Sequence, residues 1–250
     1  MYGRLSTQFY DLDKPDPPPQ ALAFYLQRAT RSPGPLLEPM CGSGRFLIPI
    51  ARAGYAIDGV DDSNPMLTAC RVRLDRLGLR ANLYQARIQD MALPGQYGMI
   101  LVPAGSLGLL VDPADLAEAL ARVYEHLVPG GTFLCEVPLR SQLPDVPERS
   151  WSDRVRRPDG ATIHLAGHLV SYIPEEGISR SMITYQLKAG HRLREVETEE
   201  FVLRFHDPGD FASLLADAGF EDIEVVTYDG SDGDDEDDDT APVFCAQKPL

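Results

Sequence analysis

The sequence predicts an α/β protein: a doubly wound, mostly parallel sheet with an antiparallel β-meander inserted into it. Three observations predict this. Apolar runs and helical periodicities alternate through residue 138, as parallel strand–helix units require. The first apolar run breaks directly into "MCGSG", a tight strand-to-helix turn. Between Leu139 and Phe205 helical periodicity fades into alternating strands, and helix and strand then return. On this division, residues 1–138 and 206–250 form the frame and residues 139–205 form the insert.

The elements follow in order. "DKPDPPPQ" is too rich in proline for a helix and reads as an extended linker. "ALAFYLQRAT" reads as a short helix and "GPLLEPMCG" as the first strand. In "GRFLIPIARAGY", Phe46, Leu47, Ile50 and Ala51 share one helical side, and Gly54 closes the helix. "AIDGVDD" is the second strand; Ser63 or Asn64 caps the next helix, with Pro65 in its first turn. "ANLYQA" and "YGMILVPAG" are the third and fourth strands. Asp112 caps "PADLAEALARVYEHL", which stops at "VPGG" before the fifth strand "TFLCEVP". In the insert, "ATIHLAGHLVSYI", "ISRSMITYQLK" and "RLREVETEEFVLRF" read as three strands joined by turns. Asp207 then caps "PGDFASLLADAG", and "EDIEVVTY" and "APVFCAQKP" form a closing antiparallel hairpin.

Composition bounds the function. The net charge of −15 argues against a nucleic-acid partner, because a phosphate-binding face needs clustered positive charge. No apolar run approaches the roughly 18 residues of a membrane span. The polar first residues carry no signal core, so a cytoplasmic location is expected. The four cysteines, Cys41, Cys70, Cys135 and Cys245, are scattered without metal spacing and read as reduced, buried thiols; no metal site is expected. Asp229–Asp239 holds eight acidic residues. It lacks the helix-flanked spacing and closing glutamate of a calcium loop and reads as a solvated loop.

The chemistry centres on the glycine turn. Gly42 and Gly44 allow a tight reversal and close approach of a ligand to the backbone. Position 47 is Leu, where a dinucleotide fingerprint wants glycine, and no Gly-Lys-Ser/Thr follows for a phosphate loop. Asp61 lies 19 residues past Gly42 at the end of the second strand. A carboxylate there can accept hydrogen bonds from a ribose diol. Its neighbour Asp62 reads as the start of a turn. Gln89, Asp90 and Met91 precede the fourth strand, where a carboxylate and a backbone N–H can read adenine and a Met can pack on it.

Together, "LLEPMCGSGRFL", "GVDDSNPML", "QDMALPGQYGMILV" and "LVPGGTFLCEV" resemble the class I S-adenosylmethionine-dependent methyltransferases over about residues 20–138 and 207–250. The resemblance implies a Rossmann-like, seven-stranded sheet with its last strand reversed, and S-adenosylmethionine as cofactor. It implies that Glu38 closes strand one and that Met40, Gly42 and Gly44 lie under the methionine part. It gives Asp61 the ribose, and Asp90 and Met91 the adenine, with Tyr10, Asp62, Met66, Gln89 and Pro103 completing the cofactor set. Met40 replaces the usual first glycine; its backbone can still line the site if its φ is negative, with its side chain then pointing away from the cofactor or packing on it. "VPAGS" stands where enzymes acting on base or glutamine amino groups carry Asn/Asp-Pro-Pro-aromatic, which points to other acceptors.

A looser likeness, in "RLSTQFYDL" and the meander, is to small-molecule methyltransferases acting on glycine-like amines or amino sugars. It makes Phe9 and Tyr10 lid candidates. Ser106, Glu136 and His206 are the candidates for facing the acceptor. The meander must bury an apolar face, either as a roof over the acceptor pocket or against a second subunit, so a homodimer is expected. The competing readings are a catalytically silent cofactor-binding scaffold and a nicotinamide-dependent oxidoreductase.

Overall fold

In the computed structural model, residues 2–142, 149–228 and 242–250 are described. The acidic run Asp229–Asp239 lies outside the described residues. The chain's short apolar runs become the central strands of one sheet. β1 (Leu36–Pro39) is buried along its whole length and pairs in parallel with β2 (Ile57–Asp61) and β4 (Tyr97–Val102). β3 (Leu83–Gln85) lies outside β2, and β5 (Leu127–Glu136) lies beyond β4. The last hairpin, β10 (Glu221–Val226) and β11 (Val243–Gln247), completes seven strands in the order β10-β11-β5-β4-β1-β2-β3, with β11 antiparallel to both neighbours.

Helices cover both faces. Leu116, Leu120 and Val123 of α5 (Pro113–His126) pack with Phe211 and Leu215 of α6 (Pro208–Asp217) on one face. On the other lie Phe24 and Tyr25 of α2 (Pro19–Ala29), Ile48 and Ile50 of α3 (Leu47–Arg52), and Leu67 and Leu74 of α4 (Asn64–Leu77). The local signals hold where they are local. The Ser63 hydroxyl accepts the Met66 N–H at 3.3 Å, and Asp112 accepts the Ala114 N–H at 2.9 Å, satisfying first-turn donors. Asp207 stands at the N-cap of α6 without a capping bond, its carboxylate paired instead with Arg140 at 3.2 Å. "VPGG" does not separate helix from strand: Leu127 turns extended directly after α5 and begins β5. Among the described residues no helix is long and apolar enough to cross a membrane.

The insert is a four-stranded antiparallel sheet ordered β6-β7-β8-β9: β6 (Ser150–Arg156), β7 (Thr162–Ile173), β8 (Ile178–Ala189) and β9 (Arg192–Arg204). β6 was not legible in sequence because only Trp151 and Val155 interrupt its polar residues. A further helix, α1 (Arg4–Asp13), occupies the N-terminal stretch. Its Leu5 and Phe9 pack one turn apart against Ile163, Ile183 and Tyr185. The apolar face of the meander is therefore covered by α1, and α1 in turn lies against α4. Neither a roof over the acceptor pocket nor a second subunit is needed to bury that face.

The tightest backbone approach in the frame is at Gly98 of β4, where a Cβ would stand 2.3 Å from the Gly34 nitrogen. Backbone cannot rotate out of the way as a side chain does. Gly98→Ala is expected to cost about 1–3 kcal/mol, the usual range for overpacking, read from denaturant unfolding; an unchanged midpoint would show that the segment before β1 shifts freely.

Candidate functional site

The turn after β1 runs through three residues at positive φ: Met40 at 58°, Gly42 at 53° and Gly44 at 85°. The glycines meet this without a Cβ penalty. Met40 does not: it lines the cavity with a left-handed backbone, so the condition of a negative φ is not met. The strain, of order 1–3 kcal/mol for such a position, is held by the half-buried side chain packed on the core. Gly44 also has no room: a Cβ would meet the Cys70 sulfur at 2.7 Å.

Asp61, at the end of β2, ties this turn to the next one. Its Oδ2 accepts the Gly42 N–H at 2.8 Å and its Oδ1 accepts the Ser63 N–H at 2.9 Å. Burial pushes the Asp61 carboxyl up to about 6, against the lowering effect of those two N–H groups.

Above the turn lies a cavity of about 270 Å³ at the C-terminal ends of the parallel strands, where such sheets bind ligands. Glu38, Met40, Gly42, Asp61, Asp62 and Met66 form its floor and one side, and Gln89, Pro103 and Ser106 contribute to the other. Tyr10 closes it from α1. Two buried oxygens there, Oε2 of Glu38 and Oε1 of Gln89, have no hydrogen-bond partner among the described residues. Buried acceptors are normally paired, so both suit the N–H donors of a ligand. Burial pushes the Glu38 carboxyl well up, with the Leu47 N–H working the other way.

Five of the residues named from sequence for the cofactor or the acceptor lie off the cavity wall. Gly44 packs behind the turn, as described above. Asp90 faces solvent and pairs with Arg87 at 2.5 Å, while Met91 is fully buried in the core. The cause is register. β3 ends at Gln85, so the wall falls on Ala86–Gln89, and a short 3₁₀ turn over Ile88–Asp90 rotates Asp90 outward. Glu136 sits behind the wall, accepting the Tyr25 hydroxyl at 2.5 Å, the Tyr228 hydroxyl and the Ala104 N–H. His206 stacks edge-on against Phe211 where the second sheet rejoins the frame, and burial together with Arg204 and Arg140 pushes it down to about 4.

Of the two lid aromatics, Tyr10 lines the cavity, while Phe9 turns the other way and packs on Tyr185 at 5.6 Å. The Ser106 hydroxyl donates to the Pro103 carbonyl at 3.0 Å. Sequence reasoning missed Tyr2, Arg45 and Arg87, which also line the cavity. Counting from the end of β3 would have found Arg87; the two others had no local signal.

Comparison with known proteins bears on the domain and the fold. A methyltransferase domain family matches residues 36–131. The chain is 30% identical over 151 residues to the dTDP-3-amino-3,4,6-trideoxy-alpha-D-glucopyranose N,N-dimethyltransferase of Streptomyces venezuelae, a match spanning 60% of each protein. Among solved structures, it is similar to an S-adenosylmethionine-dependent methyltransferase from Clostridium acetobutylicum, with TM-score 0.77, 17% identity and 96% of each chain covered. It is also similar to DesVI of Streptomyces venezuelae, with TM-score 0.74, 22% identity and 100% of each chain covered. At those identities the structures speak for the fold. Domain match and fold point the same way: residues 36–131 match a methyltransferase domain, and the chain shares the fold of S-adenosylmethionine-dependent methyltransferases.

Proposed function

We propose that the protein binds S-adenosylmethionine in this cavity and methylates the amino group of a small-molecule acceptor of the amino-sugar kind. The observation that carries the reading is the cavity itself. It joins a positive-φ turn, the Asp61 carboxylate and two unpartnered buried oxygens at the strand ends. The amino sugar rests on the similarity to the Streptomyces venezuelae N,N-dimethyltransferase.

The cofactor supplies a methyl group already activated on a sulfonium. The protein's work is then to hold, align and exclude water. Asp61 retains lone pairs for ribose hydroxyls beyond its two backbone bonds. Glu38 Oε2 suits the ammonium of the methionine part and Gln89 Oε1 the adenine amino group. Arg45, whose Nε donates to the Asp16 carbonyl at 3.0 Å, brings positive charge to the cavity and suits a carboxylate. Tyr2 and Tyr10, edge to face at 6.0 Å, close the site to water. No histidine or lysine lines the cavity among the described residues, so an amine arriving with its lone pair free fits better than an acceptor that needs a strong base.

Titration with S-adenosylmethionine, S-adenosylhomocysteine and NAD, followed by labelled methyl transfer to a dTDP-3-amino sugar and its 3-hydroxy analogue, tests the reading. Binding of the first two and labelling of the amine alone are expected; NAD binding or labelling of the hydroxyl analogue would overturn it. Asp61→Ala is expected to weaken S-adenosylmethionine at least tenfold by calorimetry, since a charge-assisted contact contributes roughly 2–3 kcal/mol.

Asp61 also predicts a pH dependence in the unliganded protein. Its folded pKa of about 6 lies above the usual 3.8, so its proton favours the folded state. That contribution is complete below pH 3.8 and is lost as pH rises through about 6. The stability of wild type relative to Asp61→Asn should therefore fall between those limits; a constant difference across melting curves would show that the carboxyl is not buried as described.

A further inference from the structure

Strand β9 carries Glu195, Glu197 and Glu199 at alternate positions, opposite Leu187, Tyr185 and Ile183 of β8. Alternation puts these carboxylates on the face whose other members form the buried cluster with α1. Acidic groups on a buried face are costly unless donors meet them. The donors are the free N–H groups at the start of α1. Glu197 accepts the Leu5 and Ser6 N–H groups at 3.0 and 2.9 Å, and Glu199 accepts the Gly3 N–H at 2.8 Å and the Ser6 hydroxyl. Glu195 pairs with Arg4. Burial works against the Glu197 carboxylate, and the α1 N–H groups outweigh it and hold its pKa low. No side chain of α1 caps its own N-terminus, so this helix, whose first-turn donors need partners, obtains them from a strand about 190 residues away.

The same helix closes the cavity. Tyr2, just before the helix, and Tyr10, within it, line the site, and the Ser63 hydroxyl donates to the Tyr2 carbonyl at 2.6 Å. Beyond the helix, Arg73 donates to the Ser43 carbonyl of the glycine turn and to the Pro15 carbonyl, at 3.2 and 2.9 Å. α1 thus spans from β9 to the glycine turn, although no residue of the second sheet lines the cavity among those described.

We propose that Glu197 and Glu199 are positioning residues: by capping α1 from β9 they hold Tyr2 and Tyr10 in the cavity wall, and the second sheet thereby governs how fast bound cofactor leaves. The inference rests on the cofactor reading above. It gives the meander a part in cofactor retention, where the sequence suggested a roof over the acceptor pocket or a contact with a second subunit.

The test uses the full chain and two double variants, Glu197→Ala/Glu199→Ala and Glu197→Gln/Glu199→Gln. Hydrogen exchange of the unliganded protein reads the opening of α1, with the amides of β1 and β4 as internal reference. Stopped-flow release of S-adenosylhomocysteine reads the wall. In the alanine pair, exchange in α1 and release are both expected to rise by about tenfold or more, the scale of losing charge-assisted bonds, with β1 and β4 unchanged. The glutamine pair, which keeps acceptor oxygens without charge, should recover part of both. Faster exchange with unchanged release overturns the positioning role, and unchanged exchange overturns the cap. Lost protection in β1 and β4 overturns it too, because the carboxylates would then hold the fold rather than the wall. A wild-type protein that does not bind S-adenosylhomocysteine defeats the cofactor reading and the release claim with it, and the exchange arm still decides the cap.

Discussion

The site depends on one carboxylate serving two turns. Asp61 receives an N–H from the turn after β1 and another from the cap of α4. Two turns, one 19 residues before Asp61 and the other directly after it, thereby share one anchor. Without it, the turn through Met40, Gly42 and Gly44 would keep its three positive-φ residues in register on the Cys41 and Gly44 N–H bonds and the Arg73 contact, with nothing to tie it to the cap of α4. The bonds come at a cost, because burial opposes the ionised form. Asp61 also lines the cavity, so the carboxylate that joins the two turns is part of the wall they shape.

The closure of that site is organised from elsewhere. α1 is too short and too weakly apolar to stand as an isolated helix. It persists because Leu5 and Phe9 meet the second sheet and because β9 supplies its cap. The second sheet likewise gains a cover for its apolar face. Each makes the other stable, and the product of their association is a wall for a cavity that belongs to the frame. The insertion thus touches the chemistry through an intermediate helix rather than by direct contact.

Behind the opposite wall, Glu136 gathers Tyr25 from α2, Tyr228 from the segment after β10 and the Ala104 N–H from the turn after β4. Ala104 itself is at φ 59° and lines the cavity. The residue named from sequence as a possible partner for the acceptor instead holds the turn that shapes the cleft.

The sequence by itself determined whatever depends on neighbours along the chain. Helix caps at Ser63 and Asp112, the left-handed glycines and the apolar runs of the central strands are set within a few residues, and they were legible. So were the spacing from Gly42 to Asp61 and the reversed last strand, through a family resemblance that reads the frame as a whole. Tertiary structure decided what depends on distant partners or on rotation about a short turn. α1 carries no capping residue of its own, so nothing near it announced a helix. A three-residue 3₁₀ turn sent Asp90 outward and left Arg87 and Gln89 on the wall, a difference of a fraction of a turn that composition does not encode. "RLREVETEEFVLRF" read as a strand from the sequence; only the helix packed against β9 shows why three glutamates share the face that meets it.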